Sequence, residues 1–179
     1  AVLQLVRDRL SGNLNIESIE EALAIVRNKD TRDLRLEGRL RMERGLVNFE
    51  SGEIEKARDD LTWAETRLKS VAKASRDHDI SLLNKAAFHL TIDEPLMALH
   101  VHGEISRKAG HADETIAISR IQAARIHMVF GQLFDAARCA FNSHAHAIIS
   151  KQIDLAVEAG AIFVEISSPF MDNSAEKFA

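Results

Sequence analysis

The sequence predicts an all-α protein built of antiparallel helical hairpins, about nine helices in all. Three observations predict it. Breakers are scarce, with two prolines and eight glycines in 179 residues, while the helix formers Ala, Leu, Ile, Glu and Arg are abundant. Aromatic residues are few (eight Phe, one Trp, no Tyr), where a sandwich or barrel of this size would usually carry more. Small residues also recur at fixed offsets along the chain, the mark of an internal repeat.

Gly45, Asn48, Gly52, Ala57, Leu61 and Ala64 fall at relative positions 8, 11, 15, 20, 24 and 27 of a helix–turn–helix unit. Ala124, His127, Gly131, Ala136, Ala140 and Ser143 fall at the same positions. Ala86, His89, Asp93, Ala98, His102 and Ile105 give a degraded copy, and Ala22 and Val26 match positions 20 and 24 near the start. The position-20 alanines are thus spaced by 35, 41 and 38 residues. Two antiparallel helices approach closely only where side chains are small, and positions 8 and 20 supply one such contact on each helix. Glycine at position 15 sits in the turn, where positive φ costs it little.

Helices are expected near 2–11, 17–28, 32–50, 53–70, 78–91, 95–108, 113–130, 133–148 and 151–167. In the third, Leu36, Leu40 and Val47 mark an apolar stripe, with Arg35, Arg39, Glu43 and Glu50 outside or at its edge. Asp30-Thr31 precedes that helix as a cap. Asp93-Glu94-Pro95 opens another, with proline in the first turn, where a missing N–H matters least. Ala109-Gly110-His111 closes it, and Asp113 begins the next, in which Ile118, Ile121, Ala124 and Met128 recur at spacings of three and four. The hairpins form units near 1–30, 31–72, 76–109 and 112–148 of a single domain spanning 1–179. Helix 151–167 would end the array by packing on the last pair, whose apolar face would otherwise be bare.

The repeated residues resemble the tetratricopeptide repeat family, most closely from Gly45 to Ala64 and from Ala124 to Ser143. The resemblance implies an α-solenoid, a right-handed superhelix whose concave groove docks a partner peptide or helix. The chain departs from the family pattern in several places. The usual aromatic at position 11 is Asn48, His89 and His127, the closing proline is missing, and all three spacings exceed the family's length of about 34 residues. No Lys, Asn and Arg set occupies the family positions that clamp a peptide's terminal carboxylate.

In the family's geometry, positions 2, 5, 9 and 12 of each first helix face the groove. Here these are Arg39, Met42, Leu46 and Phe49, then Ile80, Leu83, Ala87 and Leu90, then Ile118, Ile121, Arg125 and Met128. The expected partner-binding set is Arg39, Met42, Leu46, Phe49, Leu83, Leu90, Ile121, Arg125 and Met128. Its centre is apolar, and Arg39 and Arg125 would anchor an acidic peptide through bidentate carboxylate pairs. The competing reading is that the arginines of 32–50 pair with Glu37, Glu43 and other carboxylates on a solvated face.

Composition narrows the function further. A net charge of −4 argues against a dedicated nucleic-acid binder. No apolar run reaches the ~18 residues of a membrane span. The single cysteine, Cys139, rules out an internal disulfide, fits a reducing, cytoplasmic compartment, and reads as a small packing residue. The eight histidines include His100-Val101-His102 and His144-Ala145-His146. Their i,i+2 spacing turns the two rings to nearly opposite faces, whereas a helical zinc pair wants i,i+4. No nucleophile elbow, phosphate loop or dinucleotide fingerprint is present. Trp63 is expected to pack between adjacent units. The expectation is a protein–protein interaction module without catalytic residues, cofactor or metal. The alternative is a regulatory or oligomerisation domain cut from a larger protein such as a transcription regulator, motivated by the abrupt apolar start Ala1-Val2-Leu3.

Overall fold

The computed structural model describes residues 15–28 and 32–175, with side chains to Pro169. The described residues form eight α-helices and no strand. They are α1 (Ile16–Val26), α2 (Leu34–Glu50), α3 (Ile54–Val71), α4 (Arg76–Thr91), α5 (Pro95–Glu104), α6 (Asp113–Val129), α7 (Leu133–Ile149) and α8 (Ile153–Ala175). The expected helix at 2–11 and the Asp30-Thr31 cap lie outside the described residues. The chain divides into two compact units, 1–88 and 89–179, and the division falls inside α4.

In the first unit α1 packs on α2, and α2 on α3. Helix α1 buries Ile19, Ala22, Leu23 and Val26 against Leu40, with Leu36 and Val47 beside them. Asp33 caps α2, its Oδ1 accepting the backbone N–H of Arg35 and Leu36 at 2.9 and 3.0 Å. Close approach of α2 and α3 depends on two glycines. A Cβ on Gly38 would lie 2.9 Å from Leu68 Cγ, and one on Gly45 would lie 3.0 Å from Leu61 Cγ and 3.3 Å from the Ala57 carbonyl. Position 8 therefore meets positions 20 and 24 across the hairpin, as the spacing requires.

In the second unit α5 packs on α6, α6 on α7 and α7 on α8, and α8 also touches α6. The contacts are made largely by small residues. Ala123, Ala124, Cys139 and Ala140 form one buried cluster, and Ala117, Ala147 and Ala156 another. Ser143 sits in the same seam and donates its hydroxyl to the Ala117 carbonyl at 2.8 Å.

One turn recurs four times. The N–H of Glu53, Glu94, Gln132 and Gln152 donates to the carbonyl five residues earlier, on Asn48, His89, His127 and Ala147, at 2.8 to 2.9 Å. The position-15 residue is left-handed every time: Gly52 (φ 79°), Asp93 (φ 61°), Gly131 (φ 68°) and Lys151 (φ 60°). Two of the turns carry a side-chain latch as well. Nδ1–H of His89 donates to Glu94 Oε2 at 2.7 Å, and that of His127 to Gln132 Oε1 at 2.6 Å. The histidines at position 11 thus hold these two turns shut.

The fourth turn joins α7 to α8, so α7 belongs to two hairpins. In that second register Ala156 takes position 20 and is buried. Position 8 is His144, whose ring donates to the Ala156 carbonyl at 2.8 Å and fills the space beside Gly160.

Two elements differ from expectation. Helix α8 runs to Ala175, eight residues past the expected end at 167, with Pro169 inside it. Helix α5 stops at Glu104 instead of running to 108, and Arg107–Ala109 forms a separate 3₁₀ turn closed by Gly110. Buried Ile105 turns extended (ψ 111°). The guanidinium of Arg120 then takes the carbonyls freed at the helix end, Ile105 at 2.7 Å and His102 at 3.4 Å.

Candidate interaction surfaces

The position-20 alanines Ala22, Ala57, Ala98 and Ala136 are all buried, as their packing role requires. The expected groove residues separate into three groups. Met42 (4% exposed) and Ile121 (2%) lie in the core and present no surface. Leu46, Phe49, Leu83 and Met128 are half-buried, and Phe49 meets Phe88 edge-on, ring centroids 5.6 Å apart. Leu90, Arg39 and Arg125 are exposed. Arg39 lies 3.5 Å from Asp77, which also accepts from Arg35 at 2.6 Å. Arg125 pairs with Glu158. Both anchor arginines therefore already face a carboxylate of this chain, which an acidic partner would have to displace.

The remaining arginines of α2 serve the fold. Asp60 is buried on α3 and takes two bonds from Arg44, each 2.7 Å, from Nε and Nη2. Arg41 Nη1 and Asn48 Nδ2 approach the same carboxylate at 3.4 Å, and Arg44 reaches Glu20 on α1 as well. Buried Glu37 holds Arg27 at 3.0 Å and Arg41, four residues on, at 3.6 Å. Carboxylates on three successive helices are thus tied by arginines from α2 and from the C-cap of α1. These pairs raise the pKa of Arg44, whereas burial and the neighbouring Arg27 lower that of Arg41. Trp63 is half-buried in this unit, with the guanidinium of Arg41 4.1 Å and that of Arg67 5.2 Å from its ring centroid.

A second charged cluster surrounds buried Glu65. Nε2 of His78 stands 3.9 Å from one oxygen, Lys85 Nζ donates to the other at 3.2 Å, and Lys69 lies at 4.0 Å. His78 first, then the two lysines, hold the Glu65 carboxyl down to about 2 despite its burial.

The histidine pairs split as the helical period dictates. His100 is 72% exposed, while His102 is buried with Nδ1 3.1 Å from Ser119 Oγ. Burial, aided by nearby Arg120, pushes His102 down to about 4. His146 reaches Asp113 at 2.6 Å, and Arg107 reaches the same oxygen at 2.7 Å. Cys139 is packed among alanines, and burial pushes its thiol pKa up, away from the reactive thiolate.

The surface that the sequence reading missed lies in the second unit. Of the large apolar side chains exposed among the described residues, two fall in 1–88 and thirteen in 89–179. Of the thirteen, Leu90, Leu96 and Met97 lie on α4 and α5, and the other ten lie at the α6–α7 turn, where Val129 is 85% and Phe134 83% exposed, and along α7 and α8. A signal for it existed. Helix α7 is apolar on two faces: the small residues Ala136, Ala140, Ser143 and Ala147 on one, and Phe134, Phe141 and Ile148, seven apart, on another. One face fills the core, and the other needs a separate account.

No family model matches the chain, and no curated protein or solved structure gives a significant match. No helix among the described residues is long and apolar enough to cross a membrane.

Proposed function

We propose that this chain is a protein–protein interaction module of the tetratricopeptide type, built of helical hairpins and acting by docking a partner rather than by catalysis. One observation carries the reading: the concentration of exposed large apolar side chains on the second unit, led by Val129 and Phe134. Contiguous apolar surface in water marks an interaction site, whereas scattered single residues need no explanation. The recurring turn and the buried position-20 alanines support the repeat reading.

The test is affinity capture from source lysate with three proteins: wild type, Phe134→Asp, and Arg39→Glu with Arg125→Glu. Each substituted side chain is at least partly exposed, so all three should melt within a few degrees of one another. A partner held by wild type and lost by Phe134→Asp supports the reading and names the ligand. Loss only in the double arginine variant would move the site to the arginine anchors. Equal capture by all three would reject both surfaces.

A further inference from the structure

We propose that Arg35 and Arg39 of α2, held side by side by Asp77 of α4, form a binding site for a phosphoryl dianion. The site lies in the first unit, and it stands whether or not the second unit docks a protein.

Arg35 and Arg39 lie four residues apart on one face of α2, where like charges repel. Their side chains are 55% and 56% exposed, so neither is needed to fill the interior. One carboxylate offsets the repulsion. Asp77, in the first turn of α4, is only 12% exposed. Its Oδ2 accepts from Nε of Arg35 at 2.6 Å, and its Oδ1 stands 3.5 Å from Nε of Arg39. Each oxygen serves one guanidinium, so a mostly buried carboxylate fixes both heads in one place.

Only the Nε of each arginine is engaged. The Nη donors of both have no acceptor among the described residues. Neighbouring carboxylates are committed to other partners. Asp33 caps α2 through its Oδ1, and Glu37 is buried against Arg27 and Arg41. Arg76, one residue before Asp77, is exposed and has no acidic partner among the described residues. Three guanidiniums thus stand against one carboxylate, which leaves two positive charges. The positive end of the 16-residue α4 lies beside them.

Geometry and charge select the ligand. A carboxylate has a single charge and a planar pair of oxygens, which matches one guanidinium fork. To engage both arginines it would have to replace Asp77, like for like. A phosphoryl dianion carries nearly twice the charge and a tetrahedral set of acceptor oxygens. It accepts from the outer edges of both guanidiniums at once, with Asp77 in place behind them, and it balances the excess charge.

The probes are inorganic phosphate, a short glycine peptide with a central phosphoserine, the same peptide with serine, and acetate. Binding to the full chain is read from the arginine Nε–Cζ correlations of carbon-detected NMR spectra and from the backbone amides of Arg76 and Asp77. Phosphate and the phosphopeptide should shift the Arg35 and Arg39 signals with a Kd of about 1 mM or tighter. Acetate and the serine peptide should bind at least about tenfold more weakly. Arg35→Gln with Arg39→Gln should abolish binding. Arg35→Lys and Arg39→Lys, which keep the charge but lose the fork, should each weaken it at least about fivefold. Lys56→Gln, which removes an exposed cation on α3, should change nothing. Circular dichroism should be the same for every variant. A phosphopeptide held at least about tenfold more tightly than phosphate supports the site and assigns its ligand to a phosphorylated protein; equal affinities support it and assign a free phosphate or small phosphate ester. Acetate bound as tightly as phosphate, binding that survives the double glutamine variant or is unchanged in both lysine variants, or no shift at about 10 mM phosphate would each overturn the proposal.

Discussion

The two units solve the same packing problem with opposite materials. The first buries carboxylates (Glu37, Asp60, Glu65 and Asp79) and ties three of them to basic side chains. Its described surface shows only Ile25 and Val71 as large apolar exceptions. The second buries no carboxylate among its described residues. Its interior polar groups are histidines and hydroxyls, its seams are lined with alanine, and large apolar side chains are left in water. Buried ion pairs fix one geometry and are costly to break singly. Alanine seams let helices approach closely but hold few apolar atoms per contact. The larger residues of the same helices remain for the outside. The first unit spends its side chains on internal order, and the second leaves its larger apolar ones exposed.

The largest expected effect breaks the ionic half of that contrast. Asp60→Ala leaves Arg44 and Arg41 facing each other without their shared carboxylate and should cost about 3–5 kcal/mol in urea unfolding. Replacing Arg44 and Asp60 together, by Met and Leu, should recover much of the loss. If the double variant is as unstable as the single one, packing rather than charge governs the site.

Acid should separate the units next. His102 in the second unit has its folded pKa lowered from 6.5 to about 4. The unfolded chain therefore binds this proton first, and stability falls as pH drops from 6.5 toward 4, by about 3 kcal/mol at most. Glu65 in the first unit is lowered from 4.5 to about 2, so its contribution is complete above pH 4.5 and fades from there to about 2. Trp63, the sole tryptophan, reports the first unit alone. Urea midpoints at pH 7 and pH 5 should therefore drop when read by circular dichroism and hold when read by Trp63 emission. His102→Leu should flatten the dichroism curve. An equal drop in both signals would mean that the units do not unfold separately.

The smallest of these effects tests what the units share. Ala57→Leu in the first and Ala136→Leu in the second should each overpack a hairpin contact and cost about 1–3 kcal/mol. Unchanged melting of both would show that the repeat register is wrong.

The fold class was readable because helices follow local rules. Period, capping and small-residue spacing placed seven of the eight described helices within a few residues of where they lie, α8 running eight residues past its expected end, and the position-20 alanines were found by spacing alone. Three things were not readable. The second hairpin of α7 was hidden because position 8 is His144, whose bulk finds a carbonyl to bond instead of being replaced by a small residue. The end of α5 was hidden because Arg120, fifteen residues beyond Ile105, supplies the carbonyl partners. Which members of the expected binding set are exposed was hidden for a different reason. An apolar stripe marks a face that avoids water, but only the neighbours decide whether that face is core, as for Met42 and Ile121, or surface, as for Phe134.

Helix α7 serves two hairpins, which leaves its inward faces little latitude. A residue on an ordinary helix of a hairpin answers to one neighbour, and a compensating change there can restore the fit. Ala140 and Ala147 answer to α6 and α8 at once, so a substitution that suits one side must also suit the other. As far as folding alone is concerned, α7 is free to vary only along its outward stripe of Phe134, Phe141 and Ile148.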